Sequence, residues 1–188
     1  MSHLTGKRVA ILASNGFEES ELLEPMRALR DHGAEVDVVS PESGSIQGFR
    51  HFDRGQSEPV DRDVAEASAA DYDALVIPGG LFNPDALRHD ADSIRFTRAF
   101  FEAGKPVGAI CHGPWVLVDA DVIDSRELTS VPNIHRDLEN AGARWVDREV
   151  VVDQGMVTSR TPKDLPAFCA KLVEEIAEGR HAGQAASA

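Results

Sequence analysis

An α/β three-layer sandwich with a mainly parallel sheet is the fold class this sequence predicts, and three observations carry it. Short apolar runs alternate with stretches whose apolar residues recur every three to four positions, the pattern of strands joined by helices. The runs are apolar along their whole length, as in strands covered on both faces. Three of them stop at clusters of turn-forming residues, at Ser14 to Glu21, Pro78 to Asp85 and Cys111 to Trp115. In open sheets of this kind ligands bind beyond the carboxyl ends of the strands, so one pocket can receive all three clusters.

Taken in order, Lys7 to Ala13 is a charged start followed by an apolar run and predicts the first buried strand. Leu22, Leu23, Met26 and Leu29 mark an amphipathic helix that ends near His32-Gly33. Ala34 to Val39 predicts the second strand, stopped by Ser40-Pro41, and completes a βαβ unit that implies parallel pairing. Ser43 to Val60, rich in Gly, Ser and charge, predicts short strands or a β-hairpin, and Val64 to Ala70 one short helix. Ala74 to Ile77 predicts a core strand ended by Pro78-Gly79-Gly80, with a second turn signal at Asn83-Pro84. A helix is expected over about Asp92 to Ala103, then a strand at Val107 to Ile110 and a helix opened by Pro114. Arg126 to Ser130 predicts a strand, Ile134 to Ala141 a helix, and Val150 to Ser159 two strands joined by a Gly turn. Leu165, Phe168, Cys169, Leu172, Val173 and Ile176 fit one helical stripe, which makes Cys169 a core thiol.

At 188 residues the chain suits one domain, with an ordered core over about 7–179 and flexible tails at 1–6 and 180–188. Hydrophobic residues are 42%, too many for a disordered chain. A net charge of −13 argues against a nucleic-acid backbone or an anionic membrane surface as main partner, since both would be repelled. Only two cysteines in a chain of this length imply a reducing, cytoplasmic setting rather than a disulfide scaffold. Met1 to Gly6 has no apolar signal-peptide region, and no run approaches the roughly 18 apolar residues of a membrane span.

The candidate site centres on Gly104 to Trp115. Ala109-Ile110-Cys111-His112-Gly113 follows the pattern of a nucleophile elbow, in which small residues flank a nucleophile on a sharp strand-to-helix turn; one of the usual glycines is Ala109. A thiol beside a helix N-terminus is expected to have a lowered pKa. The competing reading is a structural cysteine closing a core strand. His112 reads as base, acid or filler of the elbow. Glu18, Glu19, Glu21 and Glu24 crowd the start of the first helix, where dipole complementarity alone favours carboxylates. Their place at a strand's carboxyl end makes one of them a site candidate. Gly79 and Gly80 suit either a tight turn or, with the N–H of His112, an oxyanion hole. The histidines show no metal-ligand spacing with each other or with cysteine, and neither a metal site nor a cofactor is expected.

Ala109 to Trp115 resembles the signature of the PfpI/ThiJ superfamily, whose core is flavodoxin-like and similar to the class I glutamine amidotransferase domain. Gly16 to Leu22, Gly33 to Val36, Ala74 to Gly80, Asn83 to Arg88, Leu128 to Ser130 and Asn140 to Val146 match in order, so the resemblance spans Val9 to about Ala177. It is closest to the PfpI-type intracellular protease and general-stress-protein branch. The resemblance implies that Cys111 is the nucleophile and that Glu21 hydrogen-bonds its sulfur. It implies that Asp85, standing where some relatives carry Glu, reaches His112 of a neighbouring subunit in a homodimer or larger assembly. It further implies a cysteine hydrolase acting on small carbonyl substrates or glycated proteins, in the manner of a deglycase or glyoxalase, with peptidase activity beside it. The alternative it implies is a redox-sensing stress protein or chaperone whose cysteine oxidises under peroxide.

Overall fold

The computed structural model describes residues 3–185. In chain order the elements are β1 (Arg8–Leu12), β2 (Phe17–Glu18), α1 (Glu19–Asp31), β3 (Glu35–Ser40), β4 (Ser45–Arg50), β5 (Asp53–Pro59), β6 (Arg62–Asp63), β7 (Ala74–Ile77), α2 (Phe82–His89) and α3 (Ala91–Glu102). Then come β8 (Val107–Ile110), α4 (Pro114–Asp119), β9 (Glu127–Leu128), α5 (His135–Asn140), β10 (Arg144–Trp145), β11 (Val150–Asp153), β12 (Met156–Ser159), α6 (Leu165–Glu178) and α7 (Ala182–Ala185).

The main sheet runs β11-β12-β8-β7-β1-β3-β6, parallel except for the antiparallel edge strand β11. The apolar runs explain its centre: every residue of β7 and β8 is buried, as are the last four of β1. Alternate residues on each strand feed two cores, one per face. Ala10, Leu12, Leu75, Ile77, Phe100 and Phe101 belong to one, and Val9, Ile11, Val76, Leu22, Phe168 and Leu172 to the other. The alternation matches the period of two that a strand imposes. The chain leaves β1 for β3 on one side and then places β7 on the other side of β1. The carboxyl ends of β1 and β7 therefore flank a topological switch point, with β8 next to β7.

Several local expectations need correction. Val64 to Ala70 does not form a helix. The segment turns, and a single 3₁₀ turn follows at Ala69–Asp71, where the Ser68 side chain accepts from the Ala70 N–H. The turn signal at Asn83-Pro84 lies inside α2, because a proline needs no intrahelical N–H partner in the first turn. The expected frayed ends also differ. Leu4 is fully buried with its N–H on the His32 carbonyl, and Gln184 is buried in α7. Residues 1, 2 and 186–188 of those tails lie outside the described residues. No helix among the described residues is long and apolar enough to cross a membrane.

Candidate active site

β8 ends at Ile110, and the next residue turns sharply. Cys111 holds a φ of 62°, the left-handed region that side-chain-bearing residues rarely occupy. Three segments hold it there: the Cys111 N–H donates to Ser159 O at 3.0 Å, its carbonyl accepts from Val131 N at 3.0 Å, and Gly113 N closes the turn onto Ile110 O at 2.8 Å. Gly113 is required, since a Cβ there would lie 2.7 Å from the Ile77 carbonyl oxygen. The tight turn does what sequence neighbours ordinarily cannot. It swings His112 back so that its Nδ1 lies 3.3 Å from Cys111 Sγ.

The loops after β1 and β7 complete the site. Buried Asn83 braces them together: its Oδ1 accepts from Ser14 N at 2.6 Å, and its Nδ2 donates to the carbonyls of Pro78 and Gly79 at 2.9 and 3.1 Å. Gly79 passes so close to the elbow that a Cβ would meet Glu21 and Cys111. Gly80 takes a φ of 80°. The backbone N–H groups of Gly80 and His112 both act on the Cys111 sulfur. They are two of the three donors the sequence proposes for an oxyanion hole; the third, Gly79, gives its N–H to Glu21 instead.

Glu21, fully buried on α1, accepts from the Gly79 N–H at 2.9 Å through Oε2. Its Oε1 is buried without a hydrogen-bond partner, and the carboxyl interacts with the Cys111 side chain. Burial, reinforced by the nearby charge of Glu18, raises the Glu21 pKa to about 8, so it is a protonated acid at neutral pH. The linkage has a definite sign. Between the ordinary carboxylate value and about 8 the folded chain keeps a proton that the unfolded chain has released, so stability falls as pH rises through that window. Glu21→Gln removes this dependence. From pH 5 to pH 8 the wild type should lose on the order of 3 kcal/mol relative to that variant, measured by urea denaturation. Parallel stability curves for the two proteins would refute the protonated acid.

The expected low-pKa thiol is not what the structure holds. Burial pushes the Cys111 thiol up, and any charge on Glu21 pushes it further, outweighing the N–H groups of His112 and Gly80. Burial also lowers the pKa of His112, leaving a neutral imidazole beside a neutral thiol.

Cys111, His112, Gly80 and Glu21 line one cavity of about 310 Å³ with Glu18, Leu81 and the hairpin-tip residues His51 and Phe52. The tip is tied down by Glu18, whose Oε2 accepts from the His51 N–H at 3.0 Å. Sequence reading gave no role to His51, Phe52 or Asn83, because nothing local marks a hairpin tip or a brace that acts across 69 residues. Asp85 is not brought to this cavity by its own chain. It is exposed on α2, in a separate cleft with Arg88, His89 and Asp119. Cys169 is partly buried and packs against the second core, lining a larger groove of about 750 Å³ between α1 and α6 with Ala28 and His32.

Comparison with protein-family models matches the DJ-1/PfpI family over residues 7–175. The chain belongs to the DJ-1/PfpI family. Its relatives include General stress protein 18 of Bacillus subtilis, 46% identical over 166 residues, or 87% of this chain and 94% of that protein. Protein/nucleic acid deglycase 2 of Escherichia coli is 46% identical over 165 residues, 86% of this chain and 93% of the relative. Among solved structures, a two-domain Anabaena variabilis protein containing DJ-1/ThiJ/PfpI-like and ferritin-like domains superposes with a TM-score of 0.86 at 36% identity. The match covers 90% of this chain and 48% of that one. The family and the α/β flavodoxin-like fold implied by the sequence resemblance are therefore established, and the relatives' names place the chain in a family of hydrolases and stress proteins.

Proposed function

We propose that this DJ-1/PfpI protein is a cysteine-dependent hydrolase of small carbonyl substrates or glycated protein adducts. The observation that carries the reading is the convergence of Cys111 Sγ, neutral His112 Nδ1 and the N–H groups of Gly80 and His112 at the floor of one cavity. Because the resting thiol is neutral, its proton passes to His112 as sulfur attacks the carbonyl carbon, rather than before substrate arrives. The oxyanion that forms is met by the Gly80 and His112 N–H groups. For an amine-bearing substrate, His112 returns the proton to the leaving nitrogen, and water releases the sulfur-bound fragment. Glu21, protonated, supports the sulfur from the buried side.

The cavity suits a small substrate better than a folded protein surface. One relative is named for nucleic acid as well as protein, but a charge of −13 disfavours docking on a polyanion, so adducts on proteins or free carbonyl compounds are the better fit. The alternative is a redox-sensing stress protein, in keeping with the relative named General stress protein 18; the burial that raises the Cys111 thiol favours the hydrolase. A reducing setting, which the count of two cysteines suggests, would suit the catalytic use of the thiol.

Asp85 belongs to this reading only through assembly. Phe52 and Phe82, 98% and 67% exposed, offer apolar surface for a second copy of the chain, whose Asp85 would orient His112. Turnover of methylglyoxal, glycated peptide and casein is the direct assay, and the first two should be processed in preference to casein. Mixing two inactive variants, Asp85→Ala and Cys111→Ala, should restore up to about a quarter of wild-type activity, because some assemblies then contain one intact shared site. Failure of the mixture to recover activity would remove Asp85 from the site.

A further inference from the structure

Opposite the catalytic end of the sheet lies a second cluster of chemistry-bearing side chains, formed by Glu175, Glu178 and His181. Ligand atoms from all three lie within 4.8 Å of one another. Glu175 is 7% exposed on the inner face of α6, and Glu178 stands on the same face one turn later. Gly179, with a φ of 94°, ends the helix and reverses the chain, which brings His181 back over the last turn. His181 Nε2 is buried without a hydrogen-bond partner, 3.3 Å from Glu175 Oε2.

Three features of this arrangement suit a cation. The last turn of α6 contains no basic residue, although the negative end of the helix dipole favours positive charge there. Lys171, one turn earlier, is occupied by Glu174 at 2.7 Å. Two donors about 2.05 Å from a tetrahedral ion stand about 3.3 Å apart, the separation found between Glu175 and His181. One imidazole and two carboxylates are the mixed donor set that zinc accepts, and the imidazole argues against magnesium or calcium. We propose that Glu175, Glu178 and His181 bind one zinc ion that fastens the C-terminal segment to the body of the protein.

The neighbours of His181 define what such an ion would hold. The His181 N–H donates to Gly104 O at 2.7 Å, and its ring lies against Gly155, where a Cβ would meet it at 2.5 Å. Gly104 and Gly155 precede β8 and β12, at the amino ends of those strands, whereas Cys111 follows β8 at the carboxyl end. The ion would therefore tie the end of α6 and the start of α7 to two turns beneath the sheet, and its contribution is to stability rather than to turnover.

Histidine and cysteine spacing alone does not mark this cluster, because two of its three donors are glutamates on a helix. The test uses the full chain carrying Cys111→Ser and Cys169→Ser, so that thiols take no part, titrated calorimetrically with zinc chloride. We expect one ion per chain and a rise in Tm of about 5 °C at saturation. Adding Glu178→Gln, an exposed change that leaves packing intact, or His181→Gln should weaken binding at least about tenfold. No binding by the thiol-free protein, or equal affinity in both variants, would overturn the proposal and leave Glu175 and His181 as a plain ion pair.

Discussion

Cys111→Ala is expected to lower kcat on any substrate the protein turns over by at least about a thousandfold while leaving the fold intact, as removal of a covalent nucleophile does elsewhere. The sulfur is the atom on which the His112 imidazole and the Gly80 and His112 N–H groups converge, and none of those can replace it in bond formation. Alanine fits the space, so circular dichroism and Tm should change little. Retained turnover would end the hydrolase reading. The same position reports on stored strain. A non-glycine residue at a φ of 62° costs on the order of 1 kcal/mol, so Cys111→Gly should be at least as stable as Cys111→Ala, the reverse of the usual order. An alanine variant clearly more stable than the glycine variant would show that the turn is unstrained.

Gly79→Ala should damage stability and activity together. The new Cβ would lie 2.4 Å from Glu21 Oε2, 2.6 Å from Cys111 Cβ and 2.9 Å from Ile110 O, and the last of these is backbone in the centre of the sheet. Relief requires β7 and β8 to part or Glu21 to leave the Gly79 N–H, and either breaks the geometry described above. Overpacking of this kind costs about 2–3 kcal/mol, a fall in Tm of roughly 5–10 °C for a chain of this size. A variant with unchanged Tm and unchanged rate would mean that the loop has freedom this packing denies.

The central strands were legible because burial on both faces leaves a local trace: Val107 to Ile110 and Ala74 to Ile77 are apolar without interruption. The elbow was legible for a similar reason, since a breaker pair must follow a nucleophile on a sharp turn. The thiol's proton affinity was not. It depends on how deeply neighbouring segments cover the sulfur and on an acid 90 positions away in the chain. α2 was hidden because Asn83-Pro84 carries a turn signal whether it closes a loop or opens a helix. The rim at His51 and Phe52 left no trace, because a hairpin tip is defined by where its two strands point.

The three backbone bonds that grip Cys111 have a practical corollary. The floor of the cavity is anchored to β12 and to the segment at Val131, so changes there should be punished as misfolding. The opposite wall is an outward-facing turn hung on the Glu18 carboxylate. An engineer seeking a new substrate should therefore randomise 51, spare Phe52 for the second copy of the chain, and leave the bed of the pocket alone, for selectivity here is adjustable at the lip while reactivity is cast into the foundation.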